Sequence, residues 1–423
     1  MHPQADLLHP SENAGPPVTV PLLDLYAWLH AHPELSGHET LTAARFASEL
    51  AAAGFDVTSG VGGAGVVGVL RNGDGPAVLV RTDMDALPIT ARTGLPYAST
   101  VCVKDDSGST TGVMHACGHD LHMTISVGAA RALAESRNRW RGTLIVIGQP
   151  AEETGEGARA MLEDGLFTRF PRPHFNLALH SDPYLEAGKL GYREGHVFAS
   201  SDFLEVTIRG TGGHAAYPHL SKDPIVIAAE TVLALQTIVS REMRPLDPVV
   251  VTVGSIHGGT KHNIIPEEVR MQLTVRSYDP RVRETVPKSI RRIARGIAAA
   301  HGVPEDRMPL VELIGPGTPS VYNAPELADR LVPTWQAAFG PDCVLRLDPE
   351  MGFEDFAEYG LVEPKIPSFL FRLGTVDAAR IAAAKESGRP LPGLHSSEYR
   401  PSPEPAIATG VWAMVAAVRE LMR

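Results

Sequence analysis

Between Phe203 and Leu313 the apolar pattern of the chain changes rhythm, and that change constrains the fold more than any other feature. The segment reads as strand (Leu204–Arg209), helix (Asp223–Ser240), strand (Val249–Ile256), strand (Val269–Ser277), helix (Val286–His301) and strand (Pro309–Ile314). That order, βαββαβ, is the split unit of a ferredoxin-like layer. The flanking chain behaves differently. Short apolar runs bounded by Gly, Asn or Asp, at Val66–Leu70, Ala77–Val80, Leu144–Ile147 and Phe175–Leu179, alternate with helical stretches. Phe369–Leu373 and a closing helix, Pro405–Leu421, resume the alternation. Strands alternating with helices imply a mostly parallel sheet flanked by helices. The expectation is an α/β domain split over residues 1–195 and 313–423, with residues 196–312 inserted as the ferredoxin-like unit. A length of 423 residues fits two cores better than one, because single cores stop growing at roughly 250–300 residues.

Composition narrows the function. A net charge of −11 leaves no basic stripe for a phosphate backbone, so nucleic acid is not an expected partner. The first twenty residues lack both a basic start and a long apolar run, and no later segment reads as an uninterrupted membrane span, so no membrane partner is expected. Three cysteines, Cys102, Cys117 and Cys343, cannot form a full disulfide framework. They suit a reducing compartment, and the cytoplasm is the expected location.

Chemistry-bearing residues concentrate in Met114-His115-Ala116-Cys117-Gly118-His119-Asp120-Leu121-His122, followed at once by the apolar helix Met123–Leu133. A thiol and imidazoles this close offer soft and borderline ligands for a first-row divalent metal. Read singly, Cys117 is a small buried hydrophobe and Asp120 a helix cap. Glu152 and Glu153 follow the strand Leu144–Ile147 and a turn. They are either solvated acids at a helix entry or a pair in which one carboxylate holds metal and the other takes a proton from water. Asp83 and Asp85, Glu152 and Glu153, and His180 share one position, just past the C-terminal end of an expected strand, which is where open α/β sheets bind ligands. His395 alone reads as a surface loop residue. His214, in a Gly-rich turn, and Asn263 and Arg276 are candidates in the inserted unit, Arg276 through its bidentate fork or as an ordinary outward charge.

Taken together, these strings resemble the aminoacylase and carboxypeptidase superfamily of di-metal amidohydrolases, in the branch of hippurate hydrolases, indole-acetyl amino acid hydrolases and N-acyl amino acid amidohydrolases. The resemblance runs from His32-Pro33-Glu34-Leu35-Ser36 to the last helix. It takes in Asp83 to Pro88, Met114 to Asp120, Gln149 to Glu153, Leu179-His180, Gly212 to His219, Asn263 to Pro266, Met351 to Phe356 and Leu394-His395. It implies a catalytic α/β domain with a lid, and two divalent ions (Zn, Mn, Co or Ni) bridged by Cys117 and completed by His119, Glu153, His180 and His395. It further implies Glu152 as general base and Asp85 behind a metal ligand. His214 would polarise the scissile carbonyl, within its own chain or across a dimer interface, and Asn263 and Arg276 would receive the substrate carboxylate. The substrate would be a small N-acyl amino acid, and the assembly a homodimer or higher homo-oligomer. A metallocarboxypeptidase or dipeptidase, and a non-catalytic binding protein on the same scaffold, are the alternatives. Two stretches depart from the family's pattern: the polar segment from Cys102 to Thr111, and Met123-Thr124 after His122. They bear on substrate preference.

Overall fold

The computed structural model describes residues 20–104 and 108–423. The leader before Val20, and Asp105 to Ser107 of the polar segment, lie outside the described residues. Helices α1 (Val20–Ala31) and α2 (Thr40–Ala52) precede strands β1 (Asp56–Val61), β2 (Gly65–Asn72) and β3 (Ala77–Asp83). Helix α3 (His119–Glu135) then leads into β4 (Gly142–Gln149), β5 (Phe175–Glu186) and β6 (Leu190–Tyr192). The inserted block follows as β7 (Ser200–Arg209), α4 (Pro224–Thr237), β8 (Val249–Gly258), β9 (Glu268–Ser277), α5 (Pro280–Ala300) and β10 (Leu310–Thr318). Helix α6 (Pro325–Phe339), β11 (Val344–Arg346), β12 (Ser368–Val376) and α7 (Pro403–Leu421) complete the larger elements.

The chain divides into two compact units. One holds the residues up to Gly195, Tyr322–Asp348 and Asp355–Arg423, the other His196–Val321 and Pro349–Glu354. The second unit therefore runs beyond residue 312, where the apolar pattern alone suggested an end, because β10 keeps pairing with β7 as far as Ser201 opposite Thr318.

In the first unit eight strands lie in the order β1-β2-β4-β3-β5-β12-β6-β11. The central neighbours β4/β3, β3/β5 and β5/β12 are parallel, and antiparallel pairs occur toward the two sides. Every residue of β3 is buried, which is why Ala77–Val80 is a continuous apolar run and not an alternating one. Helix α3 is buried without a break from His119 to Ala130, since it packs on the sheet and also contacts α1, α2 and α7. Two glycines permit that crowding. A Cβ on Gly128 would lie 2.6 Å from Val411 Cγ2, and one on Gly410 would lie 2.5 Å from Ile125 Cδ1. On α6, Trp335 is fully buried and donates its indole N–H to the Ala413 carbonyl at 2.9 Å, fixing α6 to α7.

The second unit is an antiparallel sheet in the order β8-β9-β7-β10 with α4 and α5 packed together on it. Burial alternates along β9, as expected for a sheet covered on one face. Asp223 and Asp279 cap α4 and α5 through their side chains, each followed by a proline at the first helical position. The helical stretch Pro224–Glu242 is long and apolar enough, at mean hydropathy 1.3, to meet the length and composition of a membrane span, although Glu230, Gln236 and Arg241 interrupt its apolar run. Its Ile227, Ala228, Thr231, Leu235 and Ile238 are buried in the core of the second unit, which accounts for the composition.

Candidate metal centre and active site

The first unit gathers seven of the expected residues at one edge of its sheet. Gly118, in the left-handed region at φ 83°, turns the chain so that α3 starts at His119 directly behind Cys117. The Cys117 Sγ lies 3.6 Å from His180 Nε2. His119 Nδ1 donates to the Asp85 carbonyl at 2.8 Å and sits 3.2 Å from Asp85 Oδ1, which turns its Nε2 toward the carboxylates. That Nε2 is 3.7 Å from Asp83 Oδ2 and 3.9 Å from both Glu152 Oε2 and Glu153 Oε1. His395 Nε2 comes within 3.4 Å of Glu153 Oε1. Donor atoms lie within 4.8 Å of one another in two trios that share Cys117, one with His119 and His180 and one with Glu153 and His395. A third trio joins His119, Glu152 and Glu153.

Asp85 does more than cap a turn. Its Oδ2 accepts from the Glu153 amide at 2.9 Å and from Ser36 Oγ at 2.7 Å, so one carboxylate aims both His119 and the Glu152-Glu153 turn. The amide of Ala151 donates to Glu39 Oε1 at 2.7 Å, and burial raises the Glu39 carboxyl above its usual range. Ala151 and His395 are the two non-glycine residues with positive φ among those described, at 51° and 61°. Such backbone costs of order 1–3 kcal/mol and collects where the surroundings impose a geometry.

His180 is not past a strand end, as expected, but inside β5. That strand continues to Glu186 because β12 pairs with it in parallel, Arg372 opposite His180 and Gly374 opposite Asp182. Asp83 likewise is the last residue of β3, and only Asp85, Glu152 and Glu153 follow strand ends. The remaining three candidates belong to the second unit. His214 and Asn263 are neighbours there, since Gly213–His214 pairs with Ile264–Ile265 and the Ala215 amide donates to the Asn263 carbonyl at 3.2 Å. The Ala216 amide donates to His214 Nδ1 at 3.0 Å, so the exposed ring keeps its Nε2–H as a donor. Arg276 lies over the Phe203 and Phe353 rings at 5.9 and 5.3 Å, and its Nη1 is buried without a hydrogen-bond partner.

The electrostatics describe a buried cluster of carboxylates suited to cations. Burial, reinforced by Glu153, Glu152 and Asp83, pushes the Cys117 thiol well above its usual range. Burial works against a charged His119, yet Asp83, Asp85 and Glu153 outweigh it and hold the imidazole up at about 10. His180, buried and next to His122, is driven well below the ordinary imidazole range. His119 Nε2 and Glu153 Oε1 are buried with no hydrogen-bond partner. Orphaned donors and acceptors of this kind require a partner, and a divalent cation satisfies thiolate, imidazole and carboxylate together.

Sequence reasoning singled out the residues of this cluster but not all of their supports. His122 Nδ1 bonds Asp83 Oδ1 at 2.7 Å, Arg81 bridges Asp83 and Asp355 at 2.7 and 2.8 Å, and Gln149 reaches Asp355 at 2.7 Å. The motif strings contain His122, Asp83, Gln149 and Asp355, whereas the pairing of Arg81 with Asp355 spans 274 residues and leaves no local signal.

Thiol, imidazoles and paired carboxylates on an α/β scaffold define a metal-dependent hydrolase. The chain belongs to peptidase family M20/M25/M40, which matches residues 79–388. It is 36% identical over 368 residues to an N-acetylcysteine deacetylase of Bacillus subtilis, covering 84% of this chain and 88% of that one. It is 40% identical over 319 residues to an N-acetyldiaminopimelate deacetylase of Leuconostoc citreum, covering 75% and 78%. The fold is similar to that of the Bacillus subtilis YXEP protein, a dinuclear metal binding peptidase of the M20 family, at TM-score 0.76 and 29% identity over 95% of this chain and 98% of that one.

Proposed function

We propose that this chain hydrolyses the amide bond of small N-acylated amino acids at a centre that holds two divalent cations. The observation that carries the reading is the pair of ligand trios sharing Cys117, with His119 Nε2 and Glu153 Oε1 buried and unpartnered between them. Cys117 is the shared ligand, and His119, Glu153, His180 and His395 complete the two sets. Cations there supply Lewis acidity and bring the ionisation of a water toward neutral pH. Zinc, manganese, cobalt and nickel all suit this donor set.

Glu152 is the general base. It is buried and lies beside His119, at 3.9 Å, so it is held at the cluster. It takes a proton from the attacking water and returns it to the departing nitrogen. Asp85 fixes the His119 ring and the Glu153 amide. His214, through its Nε2–H, stabilises the oxyanion that develops at the scissile carbonyl, and Asn263 and Arg276 bind the substrate carboxylate, the role for which Arg276 keeps an unpartnered Nη1. The relatives named as deacetylases of N-acetylated amino acids support an acyl-amino-acid substrate.

A peptidase reading is favoured by the name of the structurally similar YXEP protein, a dinuclear metal binding peptidase. Hydrolysis of hippurate, N-acetyl and indole-acetyl amino acids and unblocked dipeptides, before and after chelation and with zinc, manganese or cobalt restored, separates the readings. Chelator-sensitive cleavage of the acylated compounds is expected. Cleavage of dipeptides alone would replace the amidohydrolase reading with the peptidase one.

The three free thiols fit a reducing cytoplasm. A homodimer through the second unit is supported by its open edge strand β8 and by Ile225, Val226 and Leu233, which α4 leaves exposed. A monomer in sedimentation at working concentration would remove that proposal.

A further inference from the structure

Ser181 follows His180 in β5 and commits all three of its polar groups around the candidate metal ligands. Its carbonyl accepts from His180 Nδ1 at 2.9 Å, its amide donates to His122 Nε2 at 2.8 Å, and its hydroxyl donates to the Cys117 carbonyl at 2.8 Å. The first bond puts the neutral ring's proton on Nδ1 and leaves the Nε2 lone pair toward Cys117 Sγ. The third ties the peptide of Cys117 to the strand that carries His180. The hydroxyl is packed hard against that turn, since a Cβ on Gly118 would stand 2.7 Å from Ser181 Oγ.

The second bond settles what His122 does. A peptide amide can only donate, so His122 Nε2 must be unprotonated, and the ring proton sits on Nδ1, where it is given to Asp83 Oδ1 at 2.7 Å. His122 lies close enough to Asp83 and His119 to form a ligand trio, but neither of its nitrogens has a lone pair left for a cation. It is a brace. Behind it Asp83 is held by Arg81, and Arg81 by Asp355, all buried, so the brace ends on a fixed support.

We propose that Ser181 and His122 are positioning residues of the metal centre: together they hold the Cys117 backbone and the His180 imidazole at one spacing, and thereby set the affinity for the cation those side chains share. The proposal rests on the ligand roles given above to Cys117 and His180. It adds two residues that touch no cation and no substrate.

The test is cobalt(II) binding to the chelator-stripped full-length protein. Affinity is read by competition with a chromophoric chelator, and ligand geometry by the thiolate-to-cobalt absorption band. Ser181→Ala removes the hydroxyl bond and leaves both backbone bonds. His122→Asn keeps a donor to Asp83 but cannot reach the Ser181 amide, whereas His122→Gln places an acceptor near the position of Nε2. Supporting residues of metal ligands typically contribute about 10–100-fold in affinity. Losses of that size are expected in Ser181→Ala and His122→Asn, with an altered cobalt band and partial recovery in His122→Gln. His180→Ala, the control for the ligand assignment, should lose a cation outright. If it does while Ser181→Ala and His122→Asn stay within about threefold of the parent, well short of the usual supporting-residue effect, the positioning role is overturned and the ligand assignment survives. If His180→Ala binds cobalt like the parent, the ligand assignment itself fails and the proposal falls with it. Should His122→Asn not fold, Ser181→Ala decides alone, its fold checked by melting of the metal-free protein.

Discussion

His119 Nε2 and Glu153 Oε1 stand 3.9 Å apart, both buried and neither hydrogen-bonded. Two polar atoms left this way destabilise the metal-free protein, so a cation that joins them must also stabilise the fold. Binding to the folded state alone adds about 2.7 kcal/mol when free ligand is 100 times its dissociation constant. The unfolding free energy of the chelated protein, extracted from urea midpoints, should rise by an amount of that order when zinc or manganese is restored at such an excess. An unchanged midpoint would mean that no cation joins these atoms.

Glu152→Gln separates holding the cations from moving the proton. The substitution keeps size and removes the basic oxygen, so metal content should match the parent while turnover of an N-acyl substrate falls on the order of 10²–10⁴-fold. Near-parental turnover with full metal content would remove Glu152 from the proton-transfer role.

Arg276 offers a test of substrate recognition. A hydrogen bond to a charged group contributes about 1.5–3 kcal/mol, or roughly 10–150-fold. Arg276→Ala should therefore raise KM for N-acyl amino acids by a factor in that range and leave KM for the corresponding carboxamides nearly unchanged. Equal effects on both would show that the guanidinium does not read the carboxylate.

Asp120 sets an acid limit for the metal-free protein. Burial alone would raise its carboxyl, but the bond from His30 Nδ1 at 2.7 Å, the nearby His115 and the Leu121 amide bring it below the usual range. A carboxylate with a lowered folded pKa contributes stability that is complete above its unfolded value, about 3.9, and is lost as pH falls through the folded value. Stability of the chelated parent should fall below about pH 4, and Asp120→Asn should be less stable at pH 7 with a shallower acid limb. Parallel acid limbs, measured by urea midpoints at several pH values, would assign the acid sensitivity elsewhere.

The elements that sequence reasoning located well are those whose partners lie nearby or whose burial is uniform. The run Ala77–Val80 belongs to a strand buried on both faces, and the βαββαβ rhythm belongs to a unit whose strands pair with one another. Elements of weak local signal escaped. Strand β11 has three residues, and α6 contains Pro333, which interrupts the usual helical pattern. The Ser-Asp-Pro that follows His180 reads as a turn, which puts His180 one residue past a strand in the sequence. Pairing with β12, whose residues come some 190 positions later, overrides that signal, as in Phe371 opposite Leu179. His395 shows the limit most plainly. Its side chain is 52% exposed and its segment is a loop, as local reading suggests, and the hydrogen bond that its backbone amide donates to the Ala116 carbonyl at 2.9 Å is what brings it beside Cys117.

Strand β12 lies between β5 and β6, two strands that are close in sequence, while the residues of β12 come only after the whole second unit. During synthesis the growing chain must therefore leave a gap in its sheet until residue 376 has emerged, and His395 arrives later still. An unfinished chain has Cys117, His119 and His180 but no completed sheet beside them, so a centre built from these residues and His395 would be complete only at the end of folding. A ribosome-stalled product ending before β12 would expose the parallel edge of β5, the surface on which a chaperone would act.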